Sequence, residues 1–364
     1  PVVAILPFFL GSAHAAGHKA VKDNRRVAPG YWDALVGPGE VINTDTHCVI
    51  SFEPVINDAF HPGLINPATK KPFGSTFPNF SLADVSQIQR LALKQLGVAH
   101  VDVLMGASMG SLQAWHFMAH DPSFVSRMVL VVPGGLTLAE KTLTLARQWV
   151  KKLEQDPDWH GGNYSALPKD KQPKKALSEV LADFWYRVQF PVDQSLLYDL
   201  DDLGWADMAV AHHVLSADDV KSIDTVLAKL DDKQPKIKAY KQMVKLLCER
   251  TDHNVLLWQL RSILTYKPLA ALAASDVFTR RTMKLDDMVD IAHEASGVAD
   301  ILLIATEADD LLDIVPVDAV IGMAAFLGAR TSVVRLPSTF THAAGLNTAA
   351  PDSIATIKGR IAQF

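Results

Sequence analysis

Nucleophilic acyl chemistry needs an activated hydroxyl, a base and an acid, and this 364-residue chain offers all three in a workable order. Gly106-Ala107-Ser108-Met109-Gly110 fits G-x-S-x-G, directly after the apolar run 101–105 and directly before a helical stretch, 111–120. A nucleophilic serine needs that strand-turn-helix setting. The tight turn exposes the hydroxyl, small neighbours let strand and helix approach, and the helix N-terminus favours negative charge. Such a serine passes its proton to a histidine that a carboxylate orients, in chain order serine, acid, histidine. His342 stands where the base belongs, in the loop Ser338-Thr339-Phe340-Thr341-His342-Ala343-Ala344-Gly345 after the strand pattern 331–336. The acid is expected just beyond the run 301–304, where Glu307, Asp309, Asp310 and Asp313 crowd together. A position a few residues past the strand end selects Asp309, with Asp310 as the alternative acid and Asp313 more remote. An oxyanion needs two backbone donors. One is the N–H of Met109; the other is expected from Phe9, in the Phe8-Phe9-Leu10-Gly11 loop after the run 2–6.

These residues need a scaffold, and the sequence has the pattern of one. Short apolar runs at 2–6, 48–52, 101–105 and 128–132 read as strands. Between the second and third lies a helical stretch, 82–96, with Val85, Ile88, Leu91, Leu93 and Leu96 on its apolar positions and Gly97 as its stop. Buried strands separated by helices form βαβ units and a parallel sheet. From 137 to 289 the chain is rich in Lys, Asp, Leu and Ala, helical in period and without a strand. The strand pattern resumes at 301–304 and 331–336, and a helix over 351–364 closes the chain. The expected architecture is an α/β-hydrolase fold: a core over 1–136 and 290–364 with a mostly parallel central sheet, interrupted by a helical lid over 137–289.

Composition narrows the partners. A net charge of −5 with mixed signs gives no reason to expect nucleic acid. Only two cysteines are present, two hundred positions apart, so neither a disulfide framework nor a cysteine metal site is expected. Cys48, inside an apolar run, is expected as a small buried hydrophobe. That usage suits a reducing cytoplasm. The apolar stretch 2–10 is read as a buried strand and its loop rather than a secretory signal, because no basic segment leads into it. No other uncharged apolar run is long enough to span a bilayer, and no metal cluster or dinucleotide glycine pattern is present; Gly134-Gly135 is too short for one.

Several segments together resemble the homoserine O-acetyltransferase family of α/β-hydrolase-fold enzymes. They are Leu10-Gly11-Ser12-Ala13-His14-Ala15-Ala16-Gly17, Tyr31-Trp32-Asp33-Ala34-Leu35-Val36-Gly37-Pro38-Gly39 with Asn43-Thr44-Asp45, Ile65-Asn66-Pro67-Ala68-Thr69, Lys71-Pro72-Phe73-Gly74 with Phe77-Pro78, and Asp156-Pro157-Asp158-Trp159-His160-Gly161-Gly162-Asn163-Tyr164. The resemblance covers the chain to about residue 165 well and its last sixth more loosely. It implies a triad of Ser108, Asp309 or Asp310, and His342, an oxyanion loop at 10–17, a tunnel leading to the serine, and homodimers packed through the lid helices. It also makes 2–6 an internal strand, with the preceding edge strands absent, disordered or on another chain.

The departures from that family bear on the reaction. Its histidine is followed by an aspartate that helps bind the amino acid, whereas here Ala343-Ala344-Gly345 follows His342. The family's Gly-Ser-rich stretch before Asn-Pro-Ala-Thr is replaced by Val55-Ile56-Asn57-Asp58-Ala59-Phe60-His61-Pro62-Gly63. Its lid arginine is not recognisable; Arg147 and Arg261 are possible substitutes but read as surface residues. The acylation parts are kept and the homoserine-recognition parts are not, so hydrolysis of a small ester is the leading expectation. The alternative is acetyl transfer from acetyl-CoA, as co-substrate, to homoserine or another alcohol. An inactive binding protein on the same fold is a third reading, against which the complete set of serine, acid and histidine argues. Met109, Trp115, Phe117 and Met118 either line an acyl pocket or pack the core, and Trp32 and Trp159 either border the site or pack.

Overall fold

A computed structural model of the chain describes residues 1–20, 27–57, 60–135, 137–189, 248–249, 251–267, 300–306, 309, 312, 330–336, 342 and 351–364. Their contacts gather into two compact units, one of Pro1–Val55, Phe80–Leu143 and Ser262–Phe364, the other of Ile56–Asn79 and Thr144–Arg261.

The first unit is built on a parallel sheet. Its strands are β1 (Val2–Leu6), β6 (Cys48–Ser51), β7 (Val101–Ala107), β8 (Val125–Val131), β9 (Asp300–Thr306) and β10 (Arg330–Leu336). They run in the order β10-β9-β8-β7-β1-β6, every pair parallel. Two small ribbons precede β6: β2 (His18–Ala20) pairs with β3 (Val27–Pro29), and β4 (Val36–Gly37) with β5 (Ile42–Asn43). The central strands are buried along almost their whole length, as covered faces demand, and accordingly read as continuous apolar runs. The outer strands β6 and β10 are only partly buried. Cys48, expected inside, is therefore exposed: it opens the strand at the margin of the described sheet, where only β1 covers it.

Helix α1 (Leu82–Gln95) starts where Ser81 caps it. The Ser81 hydroxyl accepts the Asp84 N–H and the Asp84 carboxylate accepts the Ser81 N–H, a reciprocal box that satisfies two otherwise orphan donors. It stops at Gly97, whose φ of +80° suits glycine, with the Gly97 and Val98 N–H groups returning to Lys94 and Leu93. Helix α2 (Met109–His120) is buried on every face from Met109 to Ala119, which makes Met109, Trp115, Phe117 and Met118 core residues. Trp32 is core too, packed with Val3, Ile5, Met105, Val129 and Ile304.

The insertion expected over 137–289 is described in part. It contributes helices α3 (Glu140–Glu154), α4 (Lys175–Gln189) and α5 (His253–Leu264) with the segments that flank them; 190–247, 250 and 268–289 lie outside the described residues. The second unit also takes in Ile56–Asn79 from within the stretch assigned above to the core. Its interior is tied by a polar knot. Tyr164 donates to the Asp252 carboxylate at 2.9 Å and accepts the Asn254 N–H at 2.9 Å, while Trp159 donates to Asn254 Oδ1 at 2.9 Å. Arg261 lies over the Trp258 ring at 4.3 Å and pairs with Glu154 at 2.7 Å, and Arg147 is exposed. Helix α6 (Pro351–Gln363) ends the chain in the first unit.

Candidate active site

The order of the sheet says where a site should lie. From β1 the chain goes to β6 on one side and then crosses to β7 on the other, so the direction of winding reverses between β1 and β7. In open parallel sheets the crevice at the carboxyl ends of such a pair receives ligands. Ser108 follows β7, Phe8 and Phe9 follow β1, Asp309 follows β9 and His342 follows β10.

Ser108 is held in a strained conformation, φ 51° and ψ −121°, in the left-handed half of the map where residues with a Cβ are uncommon. The neighbouring packing over-determines it. Its N–H donates to Val131 O at 3.0 Å, and its own carbonyl accepts both the Ser111 N–H at 2.9 Å and the Ser111 hydroxyl at 2.6 Å. The two glycines of the motif are steric necessities. A Cβ on Gly106 would lie 2.5 Å from the Gly110 backbone, and one on Gly110 would lie 2.7 Å from Leu6 O. Strand β7, helix α2 and the end of β1 thus meet at backbone distance.

Around the serine, His342 Nε2 lies 2.7 Å from Ser108 Oγ, and His342 Nδ1 lies 2.7 Å from Asp309 Oδ2. The other oxygen of Asp309 accepts the Leu312 N–H at 3.0 Å, so both carboxylate oxygens have a donor. All three residues are at most 9% exposed, which keeps the contacts largely out of bulk water. With Asp309 accepting from Nδ1–H, Nε2 is left as the acceptor for the serine hydroxyl. The arrangement can therefore raise the nucleophilicity of Oγ and return the proton to a leaving group. Asp310, Glu307 and Asp313 lie outside the described residues.

Met109 opens α2 immediately after Ser108, so its N–H is one of the unpaired donors at a helix start. Phe9 is buried in the loop after β1, and that loop is seated on α2: Gln113 donates to Pro7 O at 2.9 Å. Several supporting groups escaped the sequence reading. Ser111 Oγ accepts the Gly134 N–H at 3.0 Å, Trp115 Nε1 donates to Gly134 O at 2.9 Å, and the Tyr266 hydroxyl donates to Gly135 O at 2.8 Å. Together they pin the turn after β8 beneath the elbow. Gly134-Gly135 serves this turn, where a Cβ on Gly134 would lie 2.5 Å from Leu112. The serine three residues after the nucleophile was the available signal, since that spacing returns one turn of helix. Among the described residues no group of three His, Cys, Asp or Glu side chains is placed to hold a metal, and no helix is long and apolar enough to cross a membrane.

Comparison with known proteins bears on the fold. Residues 63–172 match the alpha/beta hydrolase fold family. The homoserine O-acetyltransferase of Methanocorpusculum labreanum is 32% identical over 198 residues, a stretch covering 54% of this chain and 38% of that protein. The matched stretch is thus well under half of that relative's length. Among solved structures, an esterase superposes over 99% of this chain and 89% of its own, with a TM-score of 0.71 at 23% identity. The homoserine O-acetyltransferase from Bacillus anthracis does so over 100% and 87%, with a TM-score of 0.70 at 21% identity. The fold is the α/β-hydrolase fold, and the curated relatives include homoserine O-acetyltransferases and a homoserine O-succinyltransferase.

Proposed function

We propose that this chain is a serine-dependent hydrolase of small carboxylic esters that works through an acyl-enzyme on Ser108. The observation that carries the reading is the relay Asp309–His342–Ser108, both contacts 2.7 Å, on a serine held in a strained turn at the carboxyl end of the sheet. His342 Nε2 takes the Ser108 proton as Oγ attacks the ester carbonyl, and Asp309 stabilises the imidazolium that forms. The tetrahedral oxyanion is held by the N–H groups of Phe9 and Met109. When it collapses, the carbon–oxygen bond to the alcohol breaks and His342 protonates the leaving oxygen. Water then enters, gives its proton to His342 and attacks the acyl carbon, releasing the acid and restoring Ser108.

The acceptor in the second half decides between hydrolysis and transfer. Ala343 follows His342 where the family resemblance puts a carboxylate for the amino acid. A site that does not supply a polar acceptor's partners discriminates against it strongly, which favours water. The second reading is acetyl transfer from acetyl-CoA to homoserine or another alcohol, and the curated relatives' names favour it. Acetyl-CoA enters only there, as co-substrate; hydrolysis by this relay requires no cofactor. The protein is proposed to act on small molecules in the cytoplasm as a homodimer packed through the lid helices, which its mass in solution would test.

The deciding experiment gives wild type and Ser108→Ala a short-chain ester in water, and separately acetyl-CoA with and without homoserine, following free acid and free CoA. Hydrolysis that vanishes in the variant, with CoA release indifferent to homoserine, is the expected result. CoA release that requires both homoserine and Ser108 would overturn it in favour of the transferase.

A further inference from the structure

The loop after β1 carries its own strain. Phe8 to Gly11 forms a tight turn closed by the Gly11 N–H donating to Phe8 O at 2.9 Å. Leu10 occupies the third position of that turn at φ +56°, where glycine or asparagine is the usual residue. A Leu held in the left-handed region relaxes unless its surroundings over-determine it. Phe9, the residue whose N–H is assigned to the oxyanion, lies inside this turn.

Beyond the turn the loop is fixed from two sides. The Gly30, Tyr31 and Trp32 N–H groups donate to the carbonyls of Gly17, His14 and Ala15 at 2.9, 3.1 and 2.8 Å, and the Gly17 N–H donates to Asp33 Oδ1 at 2.7 Å. These bonds hold the far half. On the near half, the Ala13 N–H donates to Glu53 Oε2 at 2.6 Å. Glu53 stands two residues past the end of β6, where the Phe52 N–H still donates to Ile5 O at 3.0 Å and keeps that backbone in register with β1. The carboxylate therefore bridges from one strand of the sheet to the loop leaving its neighbour. Tyr31 reinforces the same corner by packing edge-on against Phe8 at 5.0 Å.

We infer that Glu53 is a positioning residue: its carboxylate, by gripping the Ala13 N–H, holds the strained Phe8–Gly11 turn in the shape that presents the Phe9 N–H to the oxyanion. The inference rests on the proposed acyl chemistry for its effect on rate, and on the loop geometry alone for the tether. A bond from an N–H to an ionised carboxylate is about twice as strong as a neutral one, and Glu53 is exposed, so its loss is mild for folding.

The test compares Glu53→Ala and Glu53→Gln with wild type in short-chain ester turnover, thermal unfolding and hydrogen exchange of the 7–17 segment. Losing an oxyanion donor outright costs on the order of a hundredfold in kcat, so a loosened one is expected to cost about tenfold. Glu53→Ala should show that loss in kcat with KM within about twofold, an unchanged unfolding midpoint and faster exchange in the loop. Glu53→Gln, whose side-chain oxygen still accepts the N–H, should recover most of both. Wild-type exchange in Glu53→Ala, or equal loss of kcat in the two variants, would overturn the tether. Faster exchange in Glu53→Ala alone sustains it even where wild type lacks Ser108-dependent turnover, and the failure then falls on the proposed reaction.

Discussion

Acidification should destabilise the folded chain in part through His116. Its side chain lies in the buried helix α2, is 3% exposed, and has no hydrogen-bond partner for either ring nitrogen among the described residues. The ring packs edge-on against Tyr266 at 5.4 Å and lines a small cavity with Ser86, Gln87, Arg90, Phe117 and His120. Burial pushes its pKa from 6.5 down to about 4, against the opposing pull of the Asp84 carboxylate. In the unfolded chain the imidazole takes a proton near its ordinary value, while the folded protein refuses it until about pH 4. Stability contributed by the neutral ring is therefore complete above the unfolded pKa of 6.5, falls as the pH drops through the window, and levels off near 4. The span is equivalent to about 3 kcal/mol in full, of which about 2 kcal/mol is lost between about pH 7 and pH 4.5. Urea unfolding of wild type and His116→Phe across that range isolates the term, because the variant keeps a ring against Tyr266 and every other titrating group is shared. The wild-type curve should fall below the variant's by that amount as the pH drops. Parallel curves would refute the reasoning, as would a His116 proton titrating near 6.5 by NMR.

Other consequences are equally open to measurement. Asp309→Asn keeps the shape of the acid but reverses the preferred hydrogen-bonding at His342 Nδ1; kcat for a short ester should fall by about a thousandfold or more with binding little changed. Gly110→Ala places a methyl 2.7 Å from Leu6 O. It should destabilise by about 1–3 kcal/mol in thermal unfolding and abolish turnover, since β1 must move away from the elbow. In the second unit, Tyr164→Phe removes the donor to Asp252 and the acceptor of the Asn254 N–H. Its expected cost is about 2 kcal/mol in urea unfolding at neutral pH, without a direct effect on the chemistry of Ser108.

Much of this architecture was legible because each element states its own environment. The runs at 2–6 and 301–304 are apolar throughout and 101–105 is so apart from Asp102, as strands covered on both faces are; β1 stands as read, and β7 and β9 run on past the ends of theirs. The additions have a local cause: Gly106 and Ala107 read as loop but extend β7, because the strand must run up to the serine before it turns. Helix α1 stops at Gly97 as read, but its buried face is Leu82, Val85, Ser86, Gln89 and Leu93, while Ile88, Leu91 and Leu96 are exposed. The motif and the chain order named Ser108, Asp309 and His342, three side chains that the fold brings into contact. What was not legible depends on who lies next to whom. Cys48 has the same apolar neighbours in sequence as a buried residue, and only its place on the outer strand exposes it. Glu53, Ser111 and Trp115 look like ordinary polar and aromatic residues until the loops they hold are folded against them. The membership of Ile56–Asn79 in the second unit likewise rests on contacts far along the chain, such as Gln259 donating to Ile56 O at 2.8 Å and Trp258 to Pro78 O at 3.1 Å.

The central claim is that Ser108 becomes acylated with His342 as its base. The most direct measurement mixes the protein with an activated acetyl ester, quenches in acid within the first turnovers, and locates the added acetyl group by mass spectrometry of the digested chain. The account predicts one acetyl group per chain on the peptide carrying Ser108, absent in Ser108→Ala and strongly slowed in His342→Ala. Acetylation that persists in Ser108→Ala, or turnover of the ester at the wild-type rate in that variant, would contradict it.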